Sequence, residues 1–187
     1  MNLAKKIISD KSLIKELLDL MNEANKAIIK IYNSTEQNLK IKKNNTPVTE
    51  ADLSANKILV AGLKKTFPQI PIVSEENEDS LSIPQKHNIF WLIDPLDGTK
   101  EFINRNGEFT VNVALIENGN PILGVVSAPA LKEKYVGYSD HAYKLSTKGR
   151  VDISTRRQSL NACCITLSKS HKSEIDQVFI DICKEKF

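Results

Sequence analysis

Trp91-Leu92-Ile93-Asp94-Pro95-Leu96-Asp97-Gly98-Thr99 is the stretch on which the reading of this 187-residue chain turns. Residues 89–93 form an apolar run with the length of a buried strand, which delivers Asp94 to its end. Pro95 interrupts the run, and the expectation is a turn that brings Asp97 back beside Asp94. Two carboxylates so placed can share or bridge a hard cation, and the Leu96 carbonyl offers a further oxygen. Gly98 permits close backbone approach. Thr99 opens a short helix over residues 99–103, whose first N–H groups can meet an anion such as phosphate. The plain alternative is a hairpin-like turn with a capping aspartate.

Two upstream segments bear on that choice. Val73-Ser74-Glu75-Glu76 is a second acidic strand end. Alone, a Glu pair reads as surface charge; joined to Asp94 and Asp97 it completes an oxygen-rich set of the kind two-metal phosphatases use. In Thr46-Pro47-Val48-Thr49-Glu50-Ala51-Asp52, Thr49 caps a helix and Asp52 reaches back from its first turn. The cap is the favoured reading; Asp52 could also orient the Thr99 hydroxyl, and the two roles are compatible.

Outside these segments, apolar residues at spacings of three and four predict an amphipathic helix over residues 10–32, capped by Asp10 or Ser12. A polar connection through residues 40–45 leads to a second helix that starts near Thr49 and ends before Pro68. Strands are predicted at residues 70–73 and 89–93. Residues 109–116 alternate, with Val111, Val113 and Leu115 on one face and Thr110, Asn112 and Ala114 on the other. Glu117-Asn118-Gly119-Asn120 is a turn into a second arm at residues 121–126. Further strands fit residues 134–138, 141–145 and 162–167, and a last helix runs from near Ser173 to Phe187. Helices followed by mostly antiparallel strands, without repeats or low-complexity linkers, indicate one α+β layered domain over residues 1–187. The last helix has no terminal glycine and no tail, so a chain incomplete at its C-terminus is expected.

Composition sets the outer bounds. The hydrophobic fraction of 41% and charged fraction of 26% are those of an ordinary globular protein. No apolar run approaches the roughly 18 residues of a membrane span, and the N-terminus lacks a secretory signal. A cytoplasmic protein is expected, with association at the inner membrane surface left open. Net charge is +3, and aromatics make up 6%, too few for a nucleic-acid binder with stacking platforms. Residues 75–101 hold seven acidic side chains against two lysines, and residues 140–172 hold seven Lys/Arg against two Asp. That order suits a metal-assisted enzyme acting on an anion, although on charge alone two solvated faces are the favoured reading. Cys163, Cys164 and Cys183 make neither a disulfide framework nor a zinc spacing, and the adjacent pair reads as small core residues.

Taken together and in this order, the three acidic segments resemble the inositol monophosphatase superfamily of lithium-sensitive, magnesium-dependent phosphatases. Lys100-Glu101-Phe102 after Thr99, and Asn106-Gly107-Glu108-Phe109-Thr110-Val111-Asn112 beyond it, look most like its 3′(2′),5′-bisphosphate nucleotidase branch. The resemblance implies a layered α/β sandwich of the sugar-phosphatase type, C-terminally truncated. It implies a first Mg²⁺ on Glu75, Asp94 and the Leu96 carbonyl, and a second on Asp94 and Asp97. Asp52 and Thr99 would activate the attacking water, while Glu75, Leu96, Asp97 and the Gly98 and Thr99 amides would surround the substrate. Glu76 would lie just outside the ligand set. Ser168 and His171, in Ser168-Lys169-Ser170-His171, resemble a nucleotide-contacting segment of the family. The implied substrate is adenosine 3′,5′-bisphosphate, which would lose its 3′-phosphate. Family members carry a later Trp-Asp motif with a second-metal ligand, and Trp91 is the one tryptophan here, so the second site is expected to be incomplete. The alternatives that stay open are a non-catalytic remnant or half-enzyme, an inositol or sugar monophosphatase, and either a homodimer or a complementing C-terminal polypeptide.

Overall fold

Helix α1, Lys11–Tyr32, begins where Asp10 accepts the Ser12 N–H at 2.9 Å, satisfying a donor that has no partner within the helix. It buries Ile14, Leu17, Met21, Ala24 and Ile28, the stripe expected of a 3.6-residue period. Leu13 and Ile31 lie half-buried at the edge of that stripe. Helix α2, Glu50–Thr66, packs against α1 and buries Ala51, Ala55, Leu59 and Leu63. The computed structural model describes residues 7, 9–34, 39–41, 47–155, 166 and 174–186. Between the helices, β1 (Leu39–Ile41) and β2 (Pro47–Thr49) pair antiparallel, where the sequence predicted only a polar connection.

The remaining strands of the first compact unit, Met1–Ile153, form one seven-stranded sheet. In chain order they are β3 (Ile72–Ser74), β4 (Ile89–Asp97), β5 (Thr110–Glu117), β6 (Asn120–Ala128), β7 (Glu133–Tyr138), β8 (His141–Ser146) and β9 (Gly149–Asp152). The sheet order follows the chain order: β3 runs parallel to β4, and every later pair is antiparallel. One face is the core, where Trp91, Ile93, Val111, Val113, Leu115, Leu123, Val125 and Val136 join the buried stripes of the two helices. On the other face Leu92 and Val126 are exposed. Asn118 and Gly119 take φ of 51° and 77°, the left-handed pair that a two-residue turn between twisted antiparallel strands requires. This α+β arrangement is the one expected, with two differences besides the β1–β2 pair: β9 is not foreseen in the sequence, and the motif strand does not stop at Pro95.

Strand β4 continues through Pro95 to Asp97, so the expected turn is absent. The pairing explains how. Asp94 lies opposite Asn112 and Asp97 opposite Thr110, so β4 advances three residues while β5 advances two. A bulge with one extra residue fills the difference, and a proline at such a site forfeits no ladder hydrogen bond.

The second compact unit, Ser154–Phe187, contains helix α4, Glu174–Lys186, in which Gln177 donates to Asp181 at 3.0 Å. The strand expected at residues 162–167 lies outside the described residues except for Thr166, which is in no regular element. No helix among the described residues is long and apolar enough to cross a membrane.

Candidate metal centre

The site is built at the ends of the two parallel strands, where backbone polarity and loop freedom favour ligand binding in mixed sheets. Ser74 pairs with Ile93, and the Glu75 N–H donates to the Ile93 carbonyl at 3.2 Å. Glu75 and Asp94 therefore emerge side by side as the first residues past that pairing. Behind them, the Ser74 hydroxyl donates to Asn56 of α2 at 2.8 Å, which fixes the end of β3 against the helix.

The bulge supplies the third carboxylate. Residues three apart in a regular strand point to opposite faces, so Asp94 and Asp97 could not otherwise meet. One inserted residue returns them to the same side, and Asn112 of β5 confirms it. It stands opposite Asp94 and donates through Nδ2 to Asp97 Oδ2 at 3.3 Å. The Leu96 N–H donates back to Asp94 Oδ1 at 3.2 Å.

Burial, reinforced by the negative charges of Glu75 and Asp97 and a hydrogen bond with Glu75, pushes the Asp94 carboxyl from its usual 3.8 up to about 7. The bond from the Leu96 N–H acts the other way but is outweighed. The charges of Glu75 and Asp97 disfavour ionisation of Asp94, and a divalent cation relieves that repulsion.

Next along the chain, Gly98 has φ of 87° and begins helix α3, Thr99–Ile103. A Cβ at Gly98 would lie 3.0 Å from the Glu108 carbonyl oxygen and 3.3 Å from Phe109 Cα, so glycine is required both by conformation and by space. Phe102, fully buried, anchors α3 against Phe109 and Tyr32, with ring centroids 5.1 and 5.2 Å away. This aromatic cluster holds the N-terminus of α3 in place.

Asp52 meets the motif from α2. Its Oδ2 accepts the Thr49 N–H at 2.7 Å and the Thr49 hydroxyl at 2.5 Å, while Thr49 Oγ1 accepts the Ala51 N–H at 3.1 Å. That is the expected capping box. Its Oδ1 lies 3.4 Å from the Thr99 hydroxyl, which is also 3.4 Å from the Leu96 carbonyl. Asp52 thus caps the helix with one oxygen and faces Thr99 with the other.

The oxygen-only donor set of Glu75, Asp94, Asp97 and the Leu96 carbonyl fits a hard cation such as Mg²⁺. Among the described residues, no three His, Cys, Asp or Glu side chains are grouped closely enough to hold a metal ion by themselves. An open set is compatible with Mg²⁺, which keeps several waters and takes only one or two protein carboxylates. Of the remaining candidates, the Glu76 N–H donates to the Ser74 hydroxyl at 3.2 Å, whereas Ser168, His171, Cys163 and Cys164 lie outside the described residues. In the sequence Asn112 belongs to the alternating strand and closes the motif over residues 106–112; its place opposite Asp94 is set by the β4–β5 register, which no local spacing signals.

Comparison with known proteins gives this geometry a context. The sequence model of the inositol monophosphatase family matches residues 9–187. The chain belongs to the inositol monophosphatase family. Within that family it is 40% identical over 168 residues to the 3′(2′),5′-bisphosphate nucleotidase CysQ of Buchnera aphidicola, covering 88% of this chain and 62% of that protein. It is 39% identical over 160 residues to the CysQ of Escherichia coli K12, covering 85% of this chain and 64% of that one. The crystal structure of CysQ from Bacteroides thetaiotaomicron superposes with a TM-score of 0.72 at 31% identity, over 95% of this chain and 70% of that chain. The Thermotoga maritima inositol monophosphatase superposes with a TM-score of 0.65 at 25% identity, over 94% and 65% respectively. The chain thus spans 62% and 64% of the two curated relatives named here.

Proposed function

We propose that this chain carries a Mg²⁺-dependent phosphomonoesterase site whose substrate is adenosine 3′,5′-bisphosphate, converted to AMP by loss of the 3′-phosphate. The observation that carries the proposal is the meeting of two residue groups distant in sequence. Glu75, Asp94 and Asp97 gather at the strand ends, and beside them Asp52 faces the Thr99 hydroxyl. The first group suits a cation, the second a proton transfer, and hydrolysis of a phosphate ester needs both.

Mg²⁺ held there supplies a more acidic water and neutralises phosphate oxygens. The chain's own residues do the rest. Asp52 Oδ2 is already occupied by Thr49, so its Oδ1 is the atom that draws on the Thr99 proton. Thr99 Oγ1 can then accept a proton from the attacking water, a relay that the buried position of Asp52 keeps aligned. The first N–H groups of the loop at Gly98 and Thr99 suit the phosphate. No covalent phosphoenzyme is needed, since hydrolysis by a water attacking in line accounts for the product.

The nucleotide is preferred over an inositol phosphate because, among solved structures, the Bacteroides CysQ matches at 31% identity and the Thermotoga inositol monophosphatase at 25%, and the curated relatives named bisphosphate nucleotidase match at 39–40%. The test is phosphate release from adenosine 3′,5′-bisphosphate and from inositol 1-phosphate, each with Mg²⁺ and with EDTA. Magnesium-dependent release, faster from the nucleotide, is the expected result. Faster release from inositol 1-phosphate replaces the substrate assignment, and no release from folded chain rejects the activity.

A further inference from the structure

We propose that Asn112 is a positioning residue for the metal centre, an inference that rests on the Mg²⁺ reading given above. Its place is set by the sheet. Asn112 pairs with Asp94 across the β4–β5 ladder, and the bulge then carries Asp97 back over it, so that one amide stands beneath both carboxylates. Its Nδ2 donates to Asp97 Oδ2 at 3.3 Å. Its Oδ1 is shielded from solvent and accepts no hydrogen bond among the described residues.

The bulge fixes the phase of Asp97 but leaves its side-chain rotation free. Repulsion among Glu75, Asp94 and Asp97 favours rotamers that turn Asp97 away from the other two. An amide donor opposes that rotation at no electrostatic cost to the cation. A Lys or Arg in the same place would hold Asp97 more firmly but would also occupy the charge that the cation must meet. A neutral donor therefore suits a carboxylate that must be both held and left available, as the outer partners of metal ligands generally do. The shielded Oδ1 points to the same conclusion. An unmatched buried acceptor is costly, and a position chosen for stability alone would carry an apolar side chain, as Val126 does opposite it in β6.

The test is calorimetric titration of the full chain with Mg²⁺ alone, together with the melting temperature of the EDTA-treated protein, for wild type, Asn112→Leu and Asn112→Ser. Expected is a 10–100-fold weaker Mg²⁺ affinity in both variants, with the metal-free melting temperature unchanged or raised. Unchanged affinity overturns the proposal. A fall in affinity accompanied by a matching fall in metal-free melting temperature in both variants also overturns it, because the residue is then structural. Should Asn112→Leu fail to fold, Asn112→Ser decides by the same criteria. A wild-type chain that takes up no Mg²⁺ overturns the metal-centre reading itself and this inference with it, an outcome distinct from the other two.

Discussion

The Thr99 hydroxyl lies 3.4 Å from Asp52 Oδ1, although 47 residues separate the two in the chain. Because Asp52 Oδ2 is engaged by Thr49 at the start of α2, the two oxygens of one carboxylate serve two ends that mutation can separate. Thr99→Val removes the hydroxyl and keeps the shape. Phosphate release is expected to fall about 100-fold or more, the scale of a lost proton relay. The melting temperature should move by no more than about 4 °C, because Thr99 is only half-buried and Asp52 keeps its cap on Thr49. Asp52→Ala should lose activity and also about 0.5–2 kcal/mol of stability with the cap. Kinetics and thermal melts on the two variants check this; an active Thr99→Val chain rejects the relay.

Asp94 carries a pH signature. Its carboxyl titrates near 7 in the fold against 3.8 in an ordinary setting, chiefly because it is buried. A raised folded pKa means that the neutral form is favoured by folding. The stabilisation is complete below about 3.8 and is lost progressively as pH rises through about 7. The metal-free protein should therefore melt at lower temperature at pH 8 than at pH 6, and Mg²⁺ should reverse the difference. Asp94→Asn should abolish activity, yet the EDTA-treated variant should lose most of this pH dependence. Melting curves across pH 5–8, with Mg²⁺ and with EDTA, check both parts. Retention of most of the rate by Asp94→Asn rejects the ligand assignment.

What the sequence made legible follows from how local each signal is. The stripes of α1 and α2, the Asp10 and Thr49 caps and the Asn118-Gly119 turn depend on neighbours a few residues apart, and each appears as predicted. The path through Pro95 was misread because proline ordinarily ends a strand. Only the register against β5 shows that the missing N–H falls at a bulge. The β1–β2 pair and strand β9 are not legible in the sequence because these strands are three or four residues long and partly polar. As for the site, each acidic segment could be found one at a time. Their meeting could not be derived from spacing, since the parallel pairing of β3 with β4 is a long-range contact; it came from resemblance. Asn112 was missed for the same reason, its role being defined by the residue across the ladder.

Arg105 tests how the site is braced. Its guanidinium donates to the Tyr32 carbonyl at 2.9 Å and the Ser34 carbonyl at 2.5 Å, closing the C-terminal end of α1 against the loop that follows α3. Tyr32 in turn packs on Phe102 and Phe109. Arg105→Ala should cost about 1–2 kcal/mol through two lost charge-assisted bonds at an exposed site. For a chain of this size that is a fall of about 2–8 °C in melting temperature. Lysine cannot make the forked contact, so Arg105→Lys should recover less than half of the loss. Recovery to the wild-type value by Arg105→Lys means that charge, not the fork, is what matters there.

Gly98 and Gly119 share a left-handed backbone, with φ of 87° and 77°, and differ in what surrounds them. Nothing lies within 4 Å of a Cβ added at Gly119, whereas at Gly98 it would meet the Glu108 carbonyl oxygen and Phe109 Cα, both backbone atoms that cannot rotate aside. Gly119→Ala should therefore cost only the conformational penalty, about 1–2 kcal/mol. Gly98→Ala adds steric displacement of the loop that leads into β5, and with it movement of Thr99 away from Asp52. The expected outcome is a larger fall in melting temperature for Gly98→Ala, together with loss of Mg²⁺-dependent activity that Gly119→Ala retains. Melting curves and phosphate release on the two alanine variants decide the matter. Equal stability losses with activity kept in both mean that the loop at Gly98 has room to shift, and that the Thr99–Asp52 alignment does not depend on it.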